Sequence, residues 1–394
     1  MPIKDSDIII VGGGAAGLTA AIVAAHRGAR VSIFEKNIRV GKKILATGNG
    51  RCNMSNTLIG KPEGMSHYNH PAFVAPVLSR FDCAVVRSFF EDLGLMTVVD
   101  KKGWVFPRTR TANTVLDVLL REINSLPITT YTGQEVIGIH EAEDEYRVEA
   151  AGTSHTGRVL ILSCGVAPVL STLHLYPLVS PTPVLGPLKT DTESVRGLDG
   201  IRAVCRIYLT EGDEIISWQD GELLFRDYGV SGIAVFNLSR YARRGQSLSI
   251  DFFPDHDVPA LETLLRRRRE KSRRASTQEV LTGMLHSRVI QAVLRKSGVK
   301  ASSEPDDAAL RRLANIMKAF QLKVTEGPAR DQAQVIRGGL STEDFDPGTL
   351  MCLSKPRLFA AGECLDVDGS CGGFNLHWAW ASGLVAGEGA ASSF

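Results

Sequence analysis

The tightest constraint on this chain is a cluster of glycines near its start. An uncharged β-branched run ending at Val11 passes into Gly12-Gly13-Gly14-Ala15-Ala16-Gly17, and an alanine-rich run follows. β-branched residues favour a strand and alanines a helix, so the glycines stand where a strand must turn sharply into a helix. There Gly12 permits the tight turn, Gly14 lets a phosphate approach the backbone, and Gly17 lets helix and strand pack closely. The free N–H groups at the helix N-terminus suit a diphosphate. A second strand, 30–35, ends in Glu35, eighteen residues past Gly17, where an acid binds ribose hydroxyls. We read strand 7–11, helix 14–27 and strand 30–35 as a βαβ unit that binds a dinucleotide; the alternative is a purely structural glycine turn. Stretch 8–25 carries no charge, but its four glycines, and His26-Arg27 in place of a cleavage site, speak against a membrane helix or export signal.

The far end of the chain bears on which dinucleotide. Residues 357–363 form an apolar strand ending in Gly362-Glu363, 366–374 a glycine-rich flexible loop, and 375–390 a helix. An acid at that strand tip accepts hydrogen bonds from a ribityl chain, and the helix N-terminus faces the pyrimidine edge of a flavin, where charge gathers on reduction. NAD needs no such remote clamp; an ordinary strand, loop and helix is the plain alternative. A third stretch, 41–56, reads as a loop in which close glycines bring backbone near a ligand and Lys42, Lys43 and Arg51 meet phosphate charge. By itself it fits a surface loop equally well.

Between these ends, 76–93 has helical periodicity, and a hairpin spans 96–106. A helix at 112–126 precedes strands at 128–131, 135–140, 146–150 and 158–162. Prolines 177, 181, 183 and 187 mark a crossing at 176–187 into a second domain. Strands at 201–210, 214–219, 222–225 and 247–253 suggest an antiparallel unit, and 259–322 reads as helical. Length alone suggests two or three domains. The fold class is α/β: a Rossmann-type FAD-binding domain from both chain ends, with an inserted antiparallel β domain and a small helical subdomain. The insert is barrel-like only by the family resemblance that follows, which also implies the bounds 1–188 and 340–394 for the first domain, 189–254 with a return strand at 323–339 for the second, and 255–322 for the third.

A net charge of +2 provides no global field toward nucleic acid or membrane. Seven cysteines without CxxC spacing indicate neither a disulfide framework nor a zinc site, and a cytoplasmic location is the simplest reading.

Five stretches together resemble the BaiN/RdsA-type NAD(P)/FAD-dependent oxidoreductases, distantly related to the fumarate-reductase flavoproteins. They are GGGAAG at 12–17, GKKILATGNGRCNMSN at 41–56, GELLFRDYGVSGIAVFNLSR at 221–240, AQVIRGGL at 333–340 and AGECLDVDGSCGGFNLHWAWASGLVAG at 361–387. The resemblance implies FAD contacts at Gly12, Gly14, Ala15, Ala16, Gly17, Glu35 and Lys36. Along the loop it implies Lys42, Lys43, Gly48, Asn49, Gly50, Arg51, Cys52 and Asn53, and it places the adenine by the backbone near Val136. The turn Ser163, Cys164 and Gly165 belongs to the same set, as do Gly362, Glu363, Asp368, Gly372, Gly373, Phe374, Asn375 and Leu376.

The sequence also departs from that family. Ala-Thr-Gly-Gly is usual where Ser163-Cys164-Gly165-Val166 stands, and a following glycine-rich stretch with its helix is missing. Gln is usual at His377, and Thr-Ala at Ile336-Arg337. The missing stretch implies an altered wall of the flavin pocket, and the differences at His377 and Ile336-Arg337 are expected near the active face. His377, Tyr228 and Cys52 are the candidates for catalysis: an imidazole transfers protons near neutral pH, a phenol can donate one, and a thiol beside Arg51 lies in the flavin loop. The rival readings are a helix cap for His377 and packing for Cys52. No second GxGxxG is present, so NADH or NADPH, if used, binds transiently at the flavin face, with a small-molecule substrate as partner. The arginine run 266–274 lacks interleaved aromatics and reads as a solvated helix face; its rival is a nucleic-acid patch of a flavoprotein that modifies RNA. A degenerate FAD-binding protein without turnover is the third reading. His67 and His70 resemble half a metal site without partners.

Overall fold

The computed structural model describes residues 3–173, 178–271 and 274–393. The chain divides into two compact units, one from 1–182 with 336–394 and one from 183–335. In the first, strands run in the order Ile128–Thr132, Val31–Glu35, Ile3–Val11, Thr153–Leu162, Tyr146–Ala150, Val136–Glu141, and Leu358–Ala360 also pairs with Thr153–Leu162. The first four and Leu358–Ala360 are mutually parallel; the other two form an antiparallel meander. The central strands are apolar on both faces, as a sheet covered on both sides requires: Ile8, Ile9, Ile10, Ile33 and Val159–Leu162 are buried. Helix Ala15–His26 packs along helix Phe374–Ala391 through a glycine seam. A side chain at Gly383 would come within 2.2 Å of Thr19 Oγ1, and one at Gly387 within 2.5 Å of Ala20 O.

In the second unit, Leu188–Thr190, Gly229–Ser231, Glu214–Arg226, Arg202–Glu211, Ser247–Asp251 and Phe320–Glu326 close into a six-stranded antiparallel barrel. Ile207, Leu209, Leu223, Phe225, Leu248, Ile250 and Leu322 are buried. Helices Val258–Lys271, Thr277–Leu281, Ser287–Ser297 and Asp307–Lys318 follow Ser247–Asp251. Among the described residues no helix is long and apolar enough to cross a membrane.

Several local expectations change. The single helix at 76–93 is two, Pro71–Arg80 and Cys83–Asp92, because Asp82 starts the second by accepting Val85 N–H at 2.9 Å. The strands at 214–219 and 222–225 are one. Gly221 supplies no turn but sits in register with Cys205, and a side chain there would meet Ala234 Cβ at 3.2 Å. Residues 320–322 are barrel strand, not helix, since helix Asp307–Lys318 ends before them. Strand 158–162 begins earlier, at Thr153. The loop 41–56 contains a short helix, Lys42–Ala46, started by Gly41 at φ +70°. Of the 176–187 crossing, 176 and 177 lie outside the described residues.

The arginine run is solvated only in part: Arg267, Lys271 and Arg274 are exposed, 272 and 273 lie outside the described residues, and three arginines are engaged. Arg268 donates to the carbonyls of Val280 (2.7 Å) and Thr282 (2.5 Å). Arg269 reaches Pro305 O at 3.1 Å and Asp307 at 2.9 Å, and Arg266 pairs with Glu262 at 2.6 Å. These side chains tie the helices together.

Candidate functional site

The carboxyl ends of the parallel strands gather at one edge of the sheet, where open α/β folds bind ligands. Gly12 leaves the first strand at φ +111°, and a Cβ there would lie 2.5 Å from Ser163 O. A Cβ at Gly17 would stand 2.0 Å from Gly12 O, so the turn excludes any side chain at either place. Gly14 is different: a Cβ would meet nothing within 4 Å, and no side chain caps the helix it starts. No side chain of the protein thus fills the space beside Gly14 or takes up the first-turn N–H groups, which leaves room for a phosphate.

Around this turn the other expected residues take definite places. Glu35, buried, accepts Gly13 N–H at 2.9 Å with one oxygen and Asn37 N–H at 2.8 Å with the other. Ser163 Oγ donates to Gly12 O at 2.9 Å. Lys36 is exposed. Val136 begins a strand two residues after Gln134, whose N–H donates to Glu35 O at 2.9 Å. Lys42 Nζ lies 3.5 Å from Asn37 Oδ1, and Lys43 pairs with Glu363 across the chain's two ends. Gly48, Asn49, Gly50 and Cys52 all adopt left-handed backbone, at φ +58°, +55°, +79° and +56°. Runs of such residues turn N–H groups toward one side and favour anions.

The C-terminal part meets this turn directly. Ala15 and Ala16 open the first helix, and a Cβ at Gly362 would be 3.0 Å from Ala16 Cβ. Ser382 Oγ accepts Gly362 N–H at 2.8 Å, and Trp378 Nε1 donates to Gly362 O at 3.2 Å. Gly372 and Gly373 lie at φ +122° and +98°, and Gly373 starts helix Phe374–Ala391 with no side-chain cap. Phe374 and Leu376 pack on the core, while Asn375 Oδ1 accepts Gly369 N–H at 2.8 Å and so braces the loop.

That loop is pinned rather than loose. Asp368, fully buried, is paired with Arg337 (Nη2···Oδ2 3.0 Å), so its carboxylate serves the loop itself. Asn69 Oδ1 accepts Asp368 N–H at 2.8 Å, and Tyr68 donates to Phe374 O at 2.9 Å. His70 lies 3.0 Å from Asp366, and His67 stacks on Phe374 at 4.2 Å. Burial alone would raise the Asp366 carboxyl, but the His70 contact and Gly338 N–H hold it below its ordinary range. The segment 67–70 thus bears on the site as loop support. Only its two histidines stood out in sequence, and nothing in their spacing signals this role. Among the described residues no metal-binding cluster is present.

The catalytic candidates separate. His377 is fully buried, with Nδ1 2.8 Å from Ser55 Oγ and Nε2 2.8 Å from Phe81 O. Burial holds its pKa down to about 4, so it is neutral at ordinary pH. Cys52 is also fully buried, its thiol pushed up to about 11, and Cys164 up to about 12. Neither is a ready thiolate. Gly165, at φ +66°, has open space around it. Tyr228 belongs to the second unit, with the Arg226 guanidinium 6.0 Å from its ring. Asn53 and Arg51 flank Cys52, and Arg51 Nε donates to Gly48 O at 3.2 Å.

Known proteins match this arrangement. A family model described as HI0933-like protein Rossmann domain matches residues 6–389. The chain is 33% identical over 407 residues to a 3-dehydro-bile acid delta(4,6)-reductase of Clostridium scindens, covering 97% of this chain and 98% of that one. It is 27% identical over 404 residues to a ribosomal RNA dihydrouridine synthase of Escherichia coli, covering 97% of each. Among solved structures, a flavocytochrome c3 fumarate reductase in its open conformation matches with a TM-score of 0.50 at 14% identity. That match covers 100% of this chain and 79% of the other, and the likeness is one of fold.

Proposed function

We propose, from the premise that this chain belongs to the HI0933-like Rossmann family of flavin-dependent oxidoreductases, that it holds FAD between two glycine-capped helix N-termini and reduces a small-molecule substrate. The observation that carries this reading is the meeting of helices Ala15–His26 and Phe374–Ala391. Both start from a glycine without a side-chain cap, and Gly362 sits against Ala16 between them. The residues fit the cofactor: open space at Gly14 for a diphosphate, a buried acid at Glu35, and left-handed backbone from Gly48 to Cys52.

When bound, FAD supplies the hydride chemistry, taking two electrons from NADH, NADPH or an organic donor and passing them on. The first helix and Lys43 would hold the diphosphate, and Glu35, which fixes the Gly13 turn, would hold the ribose side. Glu363, its carboxylate paired with Lys43, would take the ribityl hydroxyls. The C-terminal helix would present its positive end to the ring system and favour the charge of its reduced form. His377 acts as a positioning residue: it ties Ser55, which follows the Gly48–Asn53 turn, to the carbonyl of Phe81. The two relatives' names both describe saturation of a ring double bond, so we assign an unsaturated carbonyl compound as the substrate class.

An anaerobic titration of the purified protein with NADH and NADPH tests this, read from the visible flavin bands. Bleaching by either identifies the donor. Bands that persist with both and with organic hydride donors contradict turnover, as do reduced bands that fail to return when an unsaturated ketone is added. Absence of flavin bands after incubation with FAD contradicts the binding assignment.

A further inference from the structure

Near the hairpin of Thr97–Val99 and Trp104–Pro107 the chain gathers positive charge that it does not neutralise. Lys101, Lys102, Arg108 and Arg110 are exposed, and Arg51 arrives from the glycine-rich turn. Two aromatic rings, Trp104 and Phe106, 6.5 Å apart, hold three of these cations. Lys102 Nζ is 5.1 Å from the Trp104 ring centre, and the Arg110 and Arg51 guanidiniums are 4.4 and 5.7 Å from that of Phe106. Ring contacts position a cation without cancelling its charge. Among the described residues none of the five cations is ion-paired with an acid. The one carboxylate within 100–110, Asp100, is engaged with the N–H groups of Lys102 (2.8 Å) and Trp104 (3.0 Å). Arg110 moreover sits at φ +55°, a conformation uncommon for a residue with a side chain.

The cluster borders the turn that opens the C-terminal helix. Asn56 Nδ2 donates to Gly372 O at 3.0 Å, and a Cβ at Gly372 would lie 3.1 Å from Trp104 Nε1.

We infer that Arg51, Lys102 and Arg110 form a docking site for the phosphate groups of a ligand delivered beside the flavin, an assignment that rests on the FAD reading above. Like charges held against one ring repel each other, and a phosphate placed among them relieves that repulsion. Arginine forks grip phosphate oxygens in pairs, and lysine adds a point charge. The one GxGxxG is taken up by FAD in that reading, so the phosphates of a second ligand fall to side-chain cations. The phosphates of NADPH and those of a phosphorylated organic substrate share this chemistry, and the test separates them.

The experiment uses the FAD-loaded full chain and titrates NADP+, NAD+, 2′,5′-ADP and inorganic pyrophosphate by calorimetry at low ionic strength. It compares the wild type with the double variant Lys102→Gln, Arg110→Gln; Arg51 is left intact because it lies on the FAD loop. The site predicts that phosphate probes bind, that added salt weakens them, and that the double variant loses about tenfold or more in affinity. The visible flavin bands and melting temperature should stay unchanged. NADP+ and 2′,5′-ADP binding well above NAD+ identifies the donor's extra phosphate as the source. Binding of pyrophosphate with neither dinucleotide identifies a phosphorylated substrate. Equal affinity in wild type and variant, or no binding of any phosphate probe, overturns the assignment. Loss of flavin bands from the wild type, by contrast, counts against the FAD reading, which the calorimetry does not touch.

Discussion

In helix Val258–Lys271, Arg268 spans to Val280 and Thr282 and Arg269 reaches Pro305 and Asp307, whereas at 101–110 Lys102 and Arg110 lie on aromatic rings with no acid beside them. By sequence the helix holds the longer unbroken run of arginines. Three of its arginines are spent inside the second unit: Arg266 and Arg269 on the carboxylates of Glu262 and Asp307, Arg268 on the carbonyls of Val280 and Thr282. The hairpin keeps its charge because its single acid closes a turn. Partners, not the density of arginines, decide whether a basic run is scaffold or site.

The largest effect expected from this contrast is on stability. Arg268→Ala removes two charge-assisted bonds, a part-buried one to Val280 O and an exposed one to Thr282 O, and should lower unfolding stability by about 3 kcal/mol, read as a shifted urea midpoint. A midpoint that does not move would erase the distinction between the two stretches. A third basic group, buried and neutral, sharpens it further. Because His377 titrates at about 4 in the fold against an ordinary 6.5, the unfolded chain takes up a proton that the folded chain refuses between those values. Stability is complete above pH 6.5 and should fall by up to about 3 kcal/mol as pH drops toward 4. His377→Gln, which keeps a donor and an acceptor, should flatten that acid limb; an unchanged limb would assign the loss to other groups.

Smaller effects test the acids. Glu262→Gln weakens contacts to both Arg266 and Arg311 and should cost about 1 kcal/mol, measured by the same denaturation. Smallest of all, Lys102→Gln with Arg110→Gln should change stability by no more than about 0.5 kcal/mol, since no ion pair is lost. In a salt-sensitive RNA-binding assay the helix arginines should contribute nothing; affinity that falls with Arg267→Gln would restore the nucleic-acid reading of that run.

Much of the first unit was legible because its signals are local. The turn from Gly12 to Gly17 needs glycine at fixed offsets, and Ala15–His26 and Phe374–Ala391 lie within a residue of their expected bounds. Of the barrel, Arg202–Glu211, Glu214–Arg226 and Ser247–Asp251 were readable, though Gly221, normally a turn residue, lies within a strand against Ala234; the three-residue strands Leu188–Thr190 and Gly229–Ser231 are too short to leave a pattern. What stayed hidden depends on contacts far apart in the chain. Asn69 and Tyr68 brace a loop some 300 residues away, and Arg337 meets Asp368 across a different separation. His377 could be marked as a proton donor or a cap, because its neutrality comes from burial, and burial here is set by Ser55 and Phe81. No periodicity encodes such pairings.

The glycine seam between the first and last helices bears on how the protein is made. Ribosomes deliver residues 15–26 long before 374–391, and the strand Leu358–Ala360 that joins the central sheet also emerges late. Until then Thr19, Ala20 and Leu160 have no partner for the surfaces that Gly383, Gly387 and Leu358 later cover. The barrel, made entirely from 183–335, has all its strands beforehand. The order in which the units can fold therefore departs from sequence order: the inserted unit can mature first, and the cofactor cradle is the last part of the molecule to become competent.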